Sequence, residues 1–392
     1  MNANKTCPVC SSEKITNFLN REQVPVHQNM VFKSQEVAIS AHRGNLKLVC
    51  CKDCGFIFNQ SFELAMLDYG NWYDNTQHCS PSFDKYLEKL SHYLIVEKGI
   101  KNSRIVEVGC GQGYFLRKLV EIEKAGNYGY GFDPSYRGES FELDGRLKFE
   151  KRYYDTECSN IVADVVVCRH VIEHVPEPLE LLKSVKQALV NSPKALVFFE
   201  TPCAKWIMKN QVFWDLFYEH CSYFTAESLT TAFEVSGFQV DVVKHVFGGQ
   251  YLWLEATSSQ KKPVLSQTAG VILSLVQQFS KLEKKYKQTW QIKVQKLAAK
   301  EKIAIWGAGA KGVTFANLID PSCKWISCIV DINPNKQGNY LPGTGHPIVS
   351  YQELEKLGVT YAIVMNQNYF KEIENLLRAA NLSVNLLEAS YE

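Results

Sequence analysis

No apolar run in this chain approaches the roughly 18 residues that a membrane-spanning helix requires. The opening residues, Met1-Asn-Ala-Asn-Lys-Thr-Cys7, have no apolar stretch of the kind that directs secretion. The expectation is a cytoplasmic protein with no membrane partner. Charge of one sign is also scarce. Lysine and arginine total 43 against 41 acidic residues, a formal net charge of +2. Nothing in that balance marks the chain as a nucleic-acid binder, and no nucleic-acid partner is expected. Glycine and proline are missing from residues 271–300, which excludes a turn there and predicts a helical connector over 259–300. Cysteine, by contrast, is plentiful. Thirteen thiols, an odd number scattered along the chain, fit reduced cysteines plus a metal site better than a disulfide framework. At 392 residues and 46% apolar content the chain can bury sizeable cores in two or three domains.

Four of the cysteines form two CxxC turns, Cys7-Pro-Val-Cys10 and Cys51-Lys-Asp-Cys54. Paired turns of this spacing supply four thiolates to tetrahedral zinc, and a closed set of four leaves the ion a structural role. Residues 1–78 read as a zinc-binding module with Cys7, Cys10, Cys51 and Cys54 as ligands; buried free thiols or a redox pair are the alternative.

Residues 79–258 alternate strand and helix patterns. Strands are predicted at 104–108, 128–132, 164–168, 195–199, 238–245 and 250–257, with helices at 83–99, 113–124, 178–190 and 226–236. The last two strands flank Phe247-Gly248-Gly249, a hairpin signal. The expectation is a mostly parallel sheet with one antiparallel edge. Residues 301–392 restart the alternation as a second, smaller α/β domain.

Two glycine-rich strand-to-helix turns carry the chemistry, and two turns predict two ligand crevices. Each exposes backbone N–H groups at a helix start, where anionic or nucleotide-like ligands bind. The first is Glu107-Val-Gly109-Cys-Gly111-Gln-Gly113, with Asp133 ending the next apolar run. An acid at that position accepts hydrogen bonds from ribose hydroxyls. The acidic residue before the glycines favours S-adenosylmethionine over NAD. Downstream, Asp164-Val-Val-Val-Cys-Arg-His170-Val-Ile-Glu-His174 resembles the segment after the fourth strand in class I methyltransferases. The predicted cofactor site is Glu107, Gly109, Gly111, Gly113, Asp133 and His170. The second turn, Gly307-Ala-Gly309-Ala-Lys311-Gly312 with Asp331 beyond it, also fits the dinucleotide fingerprint. Lys311 and the segment 336–344 favour a nucleotide diphosphate there.

Between the fifth strand and the hairpin lies Phe213-Trp-Asp-Leu-Phe217-Tyr218-Glu219-His220-Cys-Ser-Tyr-Phe224, dense in aromatic and titratable groups. Histidine is the best general base near neutral pH, which makes His220 the candidate base, with Glu219 and Tyr218 beside it.

These motifs, in this order, resemble the three-domain C-methyltransferases that act on nucleotide-linked 4-keto-deoxysugars. The resemblance covers nearly the whole chain. It implies an α/β protein with a small N-terminal zinc module, a class I methyltransferase Rossmann-like domain and a second, smaller C-terminal Rossmann-like domain over 301–392 that helps to bind the nucleotide sugar. It implies S-adenosylmethionine and structural Zn²⁺, a dTDP- or GDP-type nucleotide-diphosphate sugar, and methylation at C-3 with His220 as the base. Tyr73, His174, Gly248, Gly249, Lys311, Asp331, Lys336 and Tyr340 are the implied substrate contacts. The chain departs from the family in places. Phe217 occupies the family's tyrosine position, with Tyr218 one place later as a candidate for the displaced hydroxyl. Gly309 is an extra glycine, and Phe247-Gly-Gly-Gln250 stands where the family often has His-Gly-Gly-Ser. A monomer is expected, with a dimer as the alternative. Two other functions fit parts of the pattern: an NAD-dependent or bifunctional oxidoreductase on a nucleotide sugar, and a zinc-module methyltransferase acting on RNA or protein.

Overall fold

The computed structural model describes residues 5–67, 79–122, 124–260 and 269–389. Tyr73 lies outside them. Three sheets organise these residues.

The central sheet has eight strands. Its parallel middle comprises Leu147–Glu150, Tyr128–Phe132, Arg104–Val108, Val165–Arg169 and Leu196–Pro202, in that spatial order. The strands Val165–Arg169 and Arg104–Val108 are almost continuously apolar and buried, as strands covered by helices on both faces must be. The hairpin strands Phe238–Val246 and Tyr251–Ser258 close one edge antiparallel, and Phe141–Glu142 pairs antiparallel at the other. The strand Leu147–Glu150 was not among those expected from sequence. Only four residues long and half charged, Leu-Lys-Phe-Glu, it is fixed by pairing with Tyr128–Phe132 rather than by its own pattern.

The smallest parallel sheet, near the C-terminus, runs in the order Ile348–Val349, Ile326–Val330, Lys302–Trp306, Val359–Val364, Asn385–Glu388. The helix Gly270–Ala298 lies within the residues 259–300 expected to connect the two α/β parts, its length permitted by the lack of internal glycine and proline.

The third sheet, built from Ile15–Pro25, Arg43–Cys51 and Ile57–Asn59, takes its fourth strand from far along the chain. Ser222–Tyr223 pairs antiparallel with Ile57–Asn59, so Ser222 faces Phe58 and Tyr223 faces Ile57. The segment holding Glu219 and His220 is therefore anchored to the N-terminal sheet. One apolar core ties the parts together. It includes Leu46 and Leu48 from that sheet, Phe213, Trp214 and Leu216 from the loop, Phe279 and Trp290 from the long helix, and Ile305 and Phe315 from the C-terminal unit.

Candidate active site

A cleft of about 260 Å³ opens where these three units meet, a volume near the lower end of small-molecule sites. Three groups of residues line it. His170, Glu173 and His174 follow the strand Val165–Arg169. Asp215, Phe217, Glu219 and His220 come from the aromatic loop. Gly307, Gly309, Lys311, Asp331 and Lys336 come from the second glycine turn and the segment after it. Of the residues expected to hold the cofactor, only His170 lines this cleft; Glu107, Gly109, Gly111, Gly113 and Asp133 do not. The second turn lines the cleft, and the first abuts its wall: a Cβ on Gly109 would lie 2.2 Å from Val171 Cγ2.

The residues of the first turn fit S-adenosylmethionine. Gly111 has φ of +55°, and a Cβ built on it meets nothing within 4 Å, so open space adjoins the backbone there. Its N–H donates to Asp133 Oδ2 at 2.9 Å, which fixes the acid at the turn. Glu107 is 3% exposed, and its Oε2 has no hydrogen-bond partner among the described residues. Burial pushes its carboxyl up to about 8, against the smaller pull of Arg169. A buried polar atom left without a partner costs on the order of 1–3 kcal/mol, and a ligand hydroxyl or ammonium would satisfy it. Gly113 starts the helix Tyr114–Glu121 in the left-handed region and packs tightly on Phe149.

His170 joins this turn to the cleft. Its Nε2 lies 2.7 Å from Glu200 Oε1 and its Nδ1 lies 3.3 Å from Glu173 Oε1. Burial opposes its proton, but the two carboxylates outweigh burial and raise it to about 9. Glu200 is buried too. Arg169 at 2.9 Å and His170 overcome its desolvation and hold it down at about 2. Tyr86 donates to the other Glu200 oxygen.

His220 is different. Its ring stacks obliquely on Phe217, with centroids 4.1 Å apart, and meets His174 edge-on at 4.7 Å. Burial first, then the neighbouring imidazoles of His174 and His170 and the Lys311 ammonium, hold its pKa well below the usual value. Its Nδ1 is buried without a hydrogen-bond partner among the described residues. The result is a neutral imidazole on a cleft wall with one ring nitrogen uncommitted. Glu219 is fully buried, and neither carboxylate oxygen makes a well-formed hydrogen bond. Burial raises it to about 8, against smaller opposing effects of the Gln28 backbone and Lys336. Lys336 is itself 5% exposed and, among the described residues, bonds only neutral acceptors, Ala308 O at 3.1 Å and Asn29 Oδ1 at 3.4 Å. Lys311 is ion-paired with Asp215 across the cleft. Asp331 turns its carboxylate into the second glycine turn, where it accepts from Ala308 N at 2.7 Å and Asn333 N at 2.8 Å.

Four sequence expectations land elsewhere. Tyr218 does not line the cleft. Its hydroxyl accepts from Glu63 N at 2.9 Å, and its ring fills the space above Gly44. The neighbouring Phe217 lines the cleft instead. Gly248 and Gly249 pack against Asn368 and Trp206 rather than lining the cleft, and a Cβ on Gly248 would lie 2.3 Å from Asn368 Oδ1. Tyr340 bridges through its backbone to Phe32 and Pro347. Sequence reasoning missed Glu173, Glu200 and Asp215. Glu200 sits inside a buried strand, where an acid amid phenylalanines was the available signal.

At the far end of the N-terminal sheet, Cys7, Cys10, Cys51 and Cys54 bring their sulfurs within 4.8 Å of one another. The pairs Cys7–Cys54 and Cys10–Cys51 are 3.6 and 3.5 Å apart. Zinc–sulfur bonds of about 2.3 Å in a tetrahedron place sulfurs about 3.8 Å apart, so the donor set and its spacing fit zinc.

No helix among the described residues is long and apolar enough to cross a membrane. Residues 78–243 match the methyltransferase domain family, and residues 267–382 match the C-methyltransferase C-terminal domain family. The C-methyltransferase NovU of Streptomyces niveus is 24% identical over 387 residues, covering 94% of this chain and 90% of that protein. The tRNA U34 carboxymethyltransferase of Campylobacter lari is 32% identical, but over only 26% of this chain and 36% of its own length. Among solved structures, the N,N-8-amino-8-demethyl-D-riboflavin dimethyltransferase RosA of Streptomyces davawensis shares 17% identity at a TM-score of 0.37, covering 45% of this chain and 54% of that one. The two matched domains in sequence, together with similarity to a C-methyltransferase over almost the full length, support an S-adenosylmethionine-dependent C-methyltransferase.

Proposed function

We propose that this protein methylates C-3 of a nucleotide-linked 4-keto-deoxysugar, with His220 as the base. The observation that carries the reading is a neutral, half-buried imidazole with an uncommitted Nδ1, sharing one cleft with a glycine turn and a buried lysine. A proton α to a ketone is acidic enough for such a base. His220 takes the C-3 proton, and the electron pair left on carbon delocalises onto the ketone oxygen as an enolate. When bound at Glu107, Gly109, Gly111 and Asp133, S-adenosylmethionine supplies an electrophilic methyl group. The nucleotide diphosphate lies against the turn Gly307–Gly312, with Lys336 and Lys311 as its charge partners. Lys336 supports this assignment because its ammonium is buried and, among the described residues, bonds to no carboxylate. Glu219, held protonated at neutral pH, orients the sugar as a hydrogen-bond donor. Phe217 and the closed cleft wall exclude water, which would otherwise protonate the enolate. The Cys7, Cys10, Cys51 and Cys54 cluster holds zinc as a structural ion, since four thiolates leave no open coordination position.

The test uses dTDP- and GDP-linked 4-keto-6-deoxysugars in D₂O. His220→Asn keeps some hydrogen bonding but cannot act as a base. It should lower both methylation and deuterium exchange at C-3 by about 10²–10⁴-fold while S-adenosylmethionine still binds. Near wild-type exchange in the variant would remove His220 from this role.

A further inference from the structure

The loop that presents His220 has little regular structure to hold it. It contains one short turn, Phe213–Asp215, and the two-residue strand Ser222–Tyr223. Its backbone is nevertheless buried, so its carbonyls need partners. Two of them find the same side chain. Arg21, in the strand Ile15–Pro25, is 8% exposed. Its Nη1 donates to Leu216 O and its Nη2 to Phe213 O, both at 2.9 Å. Nη2 also reaches Glu283 Oε1 on the long helix at 3.1 Å. The planar guanidinium serves two carbonyls and a carboxylate in one fixed geometry, which a lysine ammonium cannot reproduce. Further along the loop, Phe217 N donates to the Tyr223 hydroxyl, which donates back to Phe217 O, both at 3.0 Å. Ser222 Oγ donates to Val175 O at 2.8 Å, tying the same loop to the segment after His174.

We infer that Arg21 is a positioning residue for the base. By bonding Phe213 O and Leu216 O it fixes the start of the 213–220 loop against the N-terminal sheet and the long helix, and so sets where His220 stands in the cleft. This inference deepens the assignment of His220 as the base and rests on it for the catalytic outcome alone. The base is then placed by a residue from the first strand of the sheet that its own loop joins, more than half the chain away. Misplacing a catalytic group by about 1 Å can cost on the order of 10²-fold in rate.

The experiment pairs hydrogen exchange with kinetics on the full-length, zinc-loaded protein. In Arg21→Gln, amide exchange of peptides covering 213–221 should rise about tenfold or more while peptides of the central sheet stay unchanged. The kcat should fall about tenfold to a hundredfold, with the KM for S-adenosylmethionine unaltered. Arg21→Lys, the gentler change, should retain the fold and recover only part of kcat. Added guanidinium ion should restore part of the activity of Arg21→Gly. Exchange that stays at the wild-type level in the loop, or that rises across the whole N-terminal sheet with no rescue by guanidinium, would overturn the inference. A wild-type protein inactive on every keto-sugar would count against the sugar reading alone, because the exchange measurement needs no substrate and still decides the role of Arg21.

Discussion

His220 and Glu219 are neighbours in sequence, and burial shifts their pKa values in opposite directions. Desolvation disfavours charge on either group, so the imidazole loses its proton and the carboxyl keeps one. The acid limb of the rate profile should therefore lie below the ordinary histidine value of about 6.5, with activity holding as pH falls through that value. An acid-limb inflection at 6.5 or above in kcat against pH would contradict the neutral-base assignment. Glu219 also couples stability to pH. Its carboxyl is raised to about 8 in the folded protein, so the folded state binds a proton that the unfolded state has already released. That contribution is complete below the unfolded carboxyl value of about 4.3 and is lost as pH rises to about 8. Glu219→Gln should consequently gain stability relative to wild type between pH 5 and pH 8. Urea midpoints measured at both values check this, and a pH-independent difference would refute it.

At the scale of elements, the glycine turns and the base loop are held by close backbone approaches. Gly111→Val places a side chain in the open space beside the first turn and forces a β-branched residue to positive φ. The backbone strain should cost roughly 1–2 kcal/mol, while calorimetry should show S-adenosylmethionine binding abolished; retained affinity would move the cofactor elsewhere. Gly44 tests the loop from the opposite side. A Cβ there would stand 2.4 Å from Tyr218 Cε2. Gly44→Ala should destabilise by about 1–3 kcal/mol through overpacking and lower kcat as well, because Tyr218 immediately precedes Glu219 and His220. A loss of melting temperature with kcat intact would separate Tyr218 packing from base placement. The sequence pattern was enough to locate the strands Arg104–Val108 and Tyr128–Phe132, since each is a short run rich in β-branched or aromatic residues that leads into a turn. It did not show which way Tyr218 points. That is decided by the pairing of Ser222–Tyr223 with Ile57–Asn59, a contact between segments with no shared periodicity.

Across the whole molecule, the cysteine cluster and the candidate base belong to one sheet. Cys51 ends the strand Arg43–Cys51, and the strand after it, Ile57–Asn59, pairs with Ser222–Tyr223. Metal at the cluster should thus influence the distant cleft through that sheet. Structural metal sites contribute folding energy directly. Cys51→Ser, or prolonged chelation, should lower the melting temperature and soluble yield first, with kcat falling in the surviving fraction while S-adenosylmethionine affinity holds. Elemental analysis finding no zinc in freshly purified protein would remove the metal assignment, and a chelated protein with unchanged kcat would cut the link to the cleft.

The sequence alone determined what is encoded locally. Two CxxC turns name a donor set, glycines after apolar runs name strand-to-helix turns, and a run of 29 residues without an internal breaker becomes the helix Gly270–Ala298. Tertiary structure alone decided the electrostatics and the geometry of the cleft. Whether His170 keeps its proton and His220 loses one depends on Glu173 and Glu200 packing against the first ring, and on burial beside His174, His170 and Lys311 for the second. That Arg21 holds the loop, and that Lys336 meets Asn29 and Ala308 rather than an acid, follow from three sheets closing on one core. Local propensity acts over a few residues, whereas a pKa or a buried hydrogen bond is set by whatever the rest of the chain brings within several ångströms.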